Sequence, residues 1–141
     1  AAISGLSLGS TAPEIYRALV EATVFGSKRV FEGFVENGIN IKRIIMVGGI
    51  AKKSPFIMQM MADVLERPVM VSHEEQVPAL GAAIYAAVAA GFYPDVPAAQ
   101  DALCEPYREN FLPDAGRSKK YSEKYRRYLS LGSFINKFPS I

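Results

Sequence analysis

At 141 residues, 50% of them hydrophobic, the chain is long enough for one domain with a real core and too apolar for disorder. Its 16 basic and 14 acidic residues give a formal charge of only +2, which excludes a polyelectrolyte that would attract nucleic acid by charge alone. The single cysteine, Cys104, excludes an internal disulfide, and with a single histidine, His73, it excludes a Cys/His zinc site built within the chain; a reducing cytoplasm fits both.

The opening AAISGLSLGS has no Met and no basic segment ahead of a long apolar core, so it resembles neither a translation start nor a signal peptide. Residues 1–10 read as an incoming loop, and the chain as a piece of something longer. Thr11 followed by Glu14 fits a capping box, with Pro13 in the first turn. Ile15, Leu19, Ala22, Gly26 and Val30 then recur at helical spacing, so a long helix runs to about Glu36 and stops at Asn37 and Gly38. Gly26 weakens that helix by roughly 1 kcal/mol relative to Ala, which suggests that Ala22 and Gly26 let another element approach closely. Arg17 and Glu21 read as a helix-surface ion pair rather than a site.

Ile44 to Val47 is a continuous apolar run, so Arg43 to Val47 reads as a strand buried on both faces. Gly48 and Gly49 end it and allow both a sharp turn and the close approach of a flat ligand. Ser54 and Pro55 open the next helix as cap and first residue, which turns orphan amides and the positive helix end toward the glycine turn. This is the outline of an anion or nucleotide site, at the carboxyl end of a strand where open α/β sheets bind ligands. Two glycines alone do not specify such a site. A Walker A loop ending in Lys53 and Ser54 would need glycine where Val47 and Lys52 stand, and no GxGxxG occurs.

The helix from Ser54 to about Glu66 turns Ile57, Met60 or Met61, and Val64 inward. Asp63 is the carboxylate nearest to the turn in sequence, yet it lies roughly 13 Å up the helix. A structural hydrogen bond or a solvated charge suits it better than a catalytic base. Val69 to Val71 forms a second strand, making a right-handed βαβ crossover with two parallel strands. In the polar loop Ser72 to Gln76, His73, Glu74 and Glu75 are left without a catalytic or metal role.

Pro78 starts an Ala-rich helix that Gly91 stops. Leu80, Ile84, Ala87 and Val88 share a face, and Gly81 permits close approach to the sheet. The uncharged stretch Val77 to Pro94 has too little Leu, Ile and Phe to insert into a bilayer, so it reads as a buried helix. A Pro-bounded connection, a short helix from Ala98 to Leu103, a buried or half-buried Cys104 and an irregular run from Glu105 to Gly116 follow. The last helix, Ser118 to Leu131, holds most of a basic cluster of Arg117, Lys119, Lys120, Lys124, Arg126 and Arg127. Tyr121, Tyr125 and Tyr128 interleave at i, i+4 and i+7, a spacing that favours docking of one helix face over binding of single-stranded nucleic acid.

Four stretches carry a family resemblance: TAPEIYRALVEATVFG, MVGGIAKKSPFIMQMMADVLERPV, ALGAAIYAAVAAG and YSEKYRRYLSL. Together they cover residues 11–131 and resemble the C-terminal part of FGGY carbohydrate kinases. Lys52 and Lys53 before Ser54-Pro55, with the Tyr-rich closing helix, favour the ribulokinase branch. The resemblance implies an α/β fold, the second half of a ribonuclease-H-like domain of the sugar kinase, chaperone and actin superfamily. Its order is helix, strand, helix, strand, helix, with a C-terminal helical extension. The implied divisions are an incoming loop over 1–10, a partial nucleotide-binding domain over 11–94 and the extension over 95–141.

The implied reaction is transfer of the ATP γ-phosphoryl group to a ketopentose, ribulose in that branch, with Mg²⁺ bridging the phosphates. The family's base, phosphate loops and most sugar contacts belong upstream, so no catalytic or metal-binding residue is expected here. The expected contribution is adenosine binding, with Gly48, Gly49, Ile50 and Ala51 against the nucleoside and Ser54 at the rim. Xylulokinase-like members often read GGGARSP. Here Ile50 replaces the third glycine and one extra residue precedes Ser54, so Lys52 and Lys53 reach either phosphate or solvent. The implied partners are ATP and a sugar held by upstream sequence, in the cytoplasm, with neither nucleic acid nor membrane and with homo-oligomerisation left open. A non-catalytic nucleotide-binding or interaction module of the same superfamily is the alternative.

Overall fold

The computed structural model describes residues 2–72, 74–105, 107 and 109–137, with the Glu109 side chain left aside. Helix α1 spans Ala12–Glu36. It starts where the sequence pattern places it because the Thr11 amide and hydroxyl both donate to Glu14 Oε2 at 2.9 Å. These bonds, the amide's first, hold the Glu14 carboxyl below its ordinary range. Asn37 caps the other end, and Gly38 then takes φ +80°, the left-handed turn that lets the chain leave the helix.

Strand β1, Ile45–Met46, pairs in parallel with β2, Val69–Val71, Ile45 opposite Met70 and Met46 opposite Val71. A third strand, β3 at Glu109–Phe111, pairs antiparallel to β2 with Phe111 opposite Val69, so the sheet order is β1-β2-β3. The expectation of two strands and an irregular run from Glu105 to Gly116 is corrected here. Three residues are too few to show an alternating pattern, and this segment becomes a strand by pairing rather than by propensity. The expectation that β1 is buried on both faces is corrected too. Ile44 and Met46 pack against the core, whereas Ile45 and Val47 are 40% and 52% exposed. The run alternates like any strand covered on one face only.

Helices α2 (Gly49–Lys53), α3 (Pro55–Leu65), α4 (Val77–Ala89), α5 (Val96–Leu103) and α6 (Ala115–Ile135) complete the fold. Helix α3 is its centre, with Met58 and every residue from Met60 to Leu65 buried. The main core joins Met60, Met61, Val64 and Leu65 of α3 to Val24 and Phe25 of α1, Val69 of β2, and Tyr121 and Tyr125 of α6. Both Met60 and Met61 face inward because α1 and α6 flank the helix on two sides. At its end Glu66 adopts the left-handed conformation, φ 56°, and Lys28 Nζ donates to the Val64 carbonyl at 2.9 Å, a cation at the negative helix end.

Helix α6 docks as the tyrosine spacing implied. Phe25 meets Tyr121, Tyr125 and Tyr128 with ring centroids 6.4, 5.6 and 5.6 Å away. Two cations of the basic cluster serve this docking: Lys124 Nζ donates to both oxygens of buried Glu21 at 2.8 Å, and Arg117 bonds Asp63 of α3. The Arg17 to Glu21 pair is present at 3.0 Å. The close approach expected at Gly26 is modest, since a Cβ there would lie 3.9 Å from the Tyr128 hydroxyl, and a Cβ at Gly81 would meet nothing within 4 Å.

The expectation of a buried α4 is also corrected. It packs on α5, with Ile84 and Ala99 buried between them, while most of its other side chains are exposed. Asp95 caps α5 through the Ala98 amide at 2.8 Å, which starts the helix at Val96, ahead of the expected Ala98. Cys104 lies exposed at the C-cap of α5, not buried or half-buried, beyond a last turn in which Gln100 to Leu103 are exposed as well. Asp114 likewise caps α6 through the Arg117 amide at 2.8 Å and starts it ahead of Ser118. Among the described residues no helix is long and apolar enough to cross a membrane. His73 lies outside them.

Gly26→Ala is expected to stabilise the protein by up to about 1 kcal/mol, because it removes helix-interior glycine entropy at a position with room for a methyl group. Its readout is the thermal unfolding midpoint, and a lower midpoint would show that Tyr128 needs the glycine. A second prediction concerns pH. Burial, then the bond from the Tyr125 hydroxyl to Glu32 Oε2 at 2.5 Å, raise the Tyr125 pKa above its ordinary value. The folded state keeps a proton that the unfolded chain releases near pH 10, so this stabilisation is complete below about pH 10 and fades as pH rises beyond it. Tyr125→Phe should flatten the alkaline decline in unfolding midpoint, and an unchanged decline would refute the assignment.

Candidate functional site

β1 runs out at Gly48, whose φ of +89° and ψ of −177° belong to a region that only glycine occupies comfortably. The constraint is conformational, because a Cβ at Gly48 or at Gly49 would meet nothing within 4 Å. The chain then enters α2. Gly48 and Gly49 are exposed and Ile50 is 65% exposed, whereas Ala51 is buried. Ala51 joins Met58 and Val71 in a small second core, against which Met46, Ile57 and Phe111 pack. The four residues expected against the nucleoside therefore divide in two. Gly48, Gly49 and Ile50 present an open surface of main chain flanked by one apolar side chain, and Ala51 seats that surface on the core.

Between the glycines and Ser54 the chain forms the helix α2, too short to show periodicity in sequence. Its presence alters the expected geometry, because the first turn of α3 does not open directly onto the glycine pair. Ser54 stands between the two helices. Its amide donates to the Ile50 carbonyl at 3.0 Å, and its Oγ accepts from the Ile57 amide at 3.4 Å as the α3 cap. What remains for a ligand is the exposed glycine backbone, where the absence of side chains lets a flat group reach van der Waals contact with the peptide planes.

Asp63 is only 1% exposed. Its Oδ1 accepts from Gln59 Nε2 at 3.0 Å and from the Asp114 amide at 2.8 Å, and its Oδ2 accepts from Arg117 Nε at 2.5 Å. Those bonds satisfy the buried carboxylate, and the one from Arg117 holds the guanidinium pKa above its ordinary value. With no open face it is a structural carboxylate, as its distance from the turn implied. In the loop after β2, Glu74 Oε1 accepts from the Glu105 amide at 3.3 Å, which ties that loop to the connection after α5. Among the described residues no three His, Cys, Asp or Glu side chains gather as a metal site. The residue that sequence reading missed is Phe111, which packs against the seat of the turn from β3. Its only signal was an aromatic, with Tyr107 the other, in an otherwise irregular run.

Residues 1–90 match the family model described as the FGGY family of carbohydrate kinases, C-terminal domain. The ribulokinase of Vibrio parahaemolyticus is 43% identical over 134 residues, covering 95% of this chain and 24% of that protein. The ribulokinase of Geobacillus thermodenitrificans is 35% identical over 139 residues, covering 96% of this chain and 25% of that protein. The crystal structure of xylulose kinase from Rhodospirillum rubrum is similar with a TM-score of 0.83 at 29% identity, over 96% of this chain and 27% of that one. The chain thus spans about a quarter of the length of these relatives. Its helix-rich α/β fold with a small sheet is that of sugar kinases in the actin, hexokinase and ribonuclease-H-like superfamily. With the glycine turn inside the matched region, this chain belongs to the FGGY family of carbohydrate kinases and matches its C-terminal domain.

Proposed function

We propose that this chain supplies the adenosine-binding surface of an ATP-dependent sugar kinase that phosphorylates a ketopentose, with ribulose as the preferred substrate. Gly48, Gly49 and Ile50 lie against the nucleoside, Ala51 anchors them, and Ser54 forms the rim. The observation that carries this reading is the exposed, glycine-only turn at the carboxyl end of β1, inside the region that matches the family model. Ribulokinases among the relatives support the choice of sugar.

Mg²⁺ enters this reading with ATP as part of the substrate. The catalytic base, the phosphate-binding groups and the sugar contacts then belong to other parts of the full-length enzyme. Residues 11–94 act as the nucleotide-binding unit, 1–10 as the segment leading into it and 95–141 as a helical extension. Transfer from ATP to a free sugar draws on the cytoplasmic nucleotide pool, which gives the enzyme its compartment. The solvent-facing cations of α6 have no part in substrate binding on this reading.

The full-length protein should consume ATP only when ribulose or a close ketopentose or polyol is present with Mg²⁺. A panel of ribulose, xylulose, ribitol and glycerol tests the substrate, and ATP binding with no sugar-dependent turnover would leave a nucleotide-binding module instead. Gly49→Val tests the surface itself. The space around Gly49 is open, so the fold tolerates the side chain while the nucleoside does not. The ATP KM should rise by about tenfold or more with the sugar KM little changed, and an unchanged ATP KM would remove the turn from the site.

A further inference from the structure

We propose that β3 and the β3–α6 junction hold the Gly48 to Ser54 turn in its binding shape, with Phe111 as the positioning residue, an inference that rests on the reading of that turn as the adenosine surface. The family model matches residues 1–90, so these later residues lie beyond it. A five-residue helix cannot hold its own position. Ala51 is the only buried residue of α2, so the place of the turn depends on what surrounds Ala51. That surrounding is the small core of Ala51, Met58 and Val71, and Phe111 packs against it from β3. Phe111 also packs against the main core, so it spans both clusters.

The position of Phe111 is fixed from both ends. Upstream it sits opposite Val69 in the β2–β3 ladder. Downstream the Leu112 carbonyl accepts from Gln59 Nε2 at 2.8 Å, and the Asp114 amide donates to Asp63 Oδ1 at 2.8 Å. Gln59 and Asp63 both belong to α3, the helix that also carries Met58. Truncating Phe111 opens a gap beside this small core, and the flexible side chain of Met58 within it can shift. Ala51 then loses its seat, and the exposed glycines move with it.

The test is steady-state kinetics of the full-length kinase with ATP and the sugar varied separately. Phe111→Ala is expected to raise the ATP KM about fivefold while kcat and the sugar KM stay within about twofold, and Phe111→Leu to restore most of the loss. Where Phe111→Ala does not fold, Phe111→Leu carries the test alone, with an expected rise of about twofold. Val24→Ala is the control. It opens the main core away from Ala51 and lowers the melting midpoint without raising the ATP KM. An unchanged ATP KM in the Phe111 variants, or an equal rise in Val24→Ala, overturns the proposal. Gly49→Val in the same assay separates the two readings. If it raises the ATP KM and the Phe111 variants do not, only the positioning role fails. If none of them moves it, the adenosine reading of the turn fails as well.

Discussion

The carboxylate of Asp63 sits almost without solvent on α3 and takes donors from Gln59, Asp114 and Arg117. A buried charge is tolerable only with such company, because desolvation costs several kcal/mol unless its lone pairs are satisfied. The network's main effect is therefore placement more than net stability. One backbone amide and one guanidinium reach Asp63 only when residues 112–117 lie at a particular point along α3. That point sets where β3 ends and where α6 begins.

With the junction fixed, α6 has one way to lie across α1 and α3. Its tyrosines meet Phe25, Lys124 reaches buried Glu21, and Ser122 donates to Glu66 Oε1 at 3.0 Å at the end of α3. Each of these contacts is modest, since tilted aromatic pairs add about 0.5–1.5 kcal/mol beyond their burial. Together they cover two sides of α3, which explains why a helix with Asp63 in its last turns is buried from Met60 to Leu65. The sheet covers a third side. The turn at Gly48 is thus seated, through Ala51 and Met58, on a helix that is covered on three sides.

Much of this was legible in the sequence because it rests on signals that repeat. Thr11 with Glu14, the i, i+4, i+7 tyrosines and the Ser54-Pro55 cap each reported a local rule that the fold obeys. The glycine pair reported a conformation, and Gly48 does adopt one that other residues avoid. What stayed hidden depended on pairing or on coverage. A three-residue strand such as β3 has no period of its own, and α2 has fewer than two turns in which to show one. The apolar run at β1 and the Ala-rich α4 reported hydrophobicity correctly, yet hydrophobicity does not say which neighbour covers it. Cys104 failed for the same reason, as its exposure follows from where α5 stops. His73 lies outside the described residues.

The exposure of the glycine turn carries a physical consequence for the proposed activity. Small-molecule sites bury 70–90% or more of a ligand of this size, and one strip of main chain beside Ile50 can form only one wall. A nucleoside held by that wall alone would gain little, because most of its surface would stay in water. On the proposed function, tight binding requires a second wall from outside the described residues. Dividing the site between two bodies couples nucleotide binding to their approach. In the proposed kinase, closure would also exclude water from the phosphoryl group, so that a sugar hydroxyl and not water receives it. For that coupling to work, this wall has to be rigid while the other moves. A turn seated by Ala51 on a helix clamped through Asp63 meets the requirement.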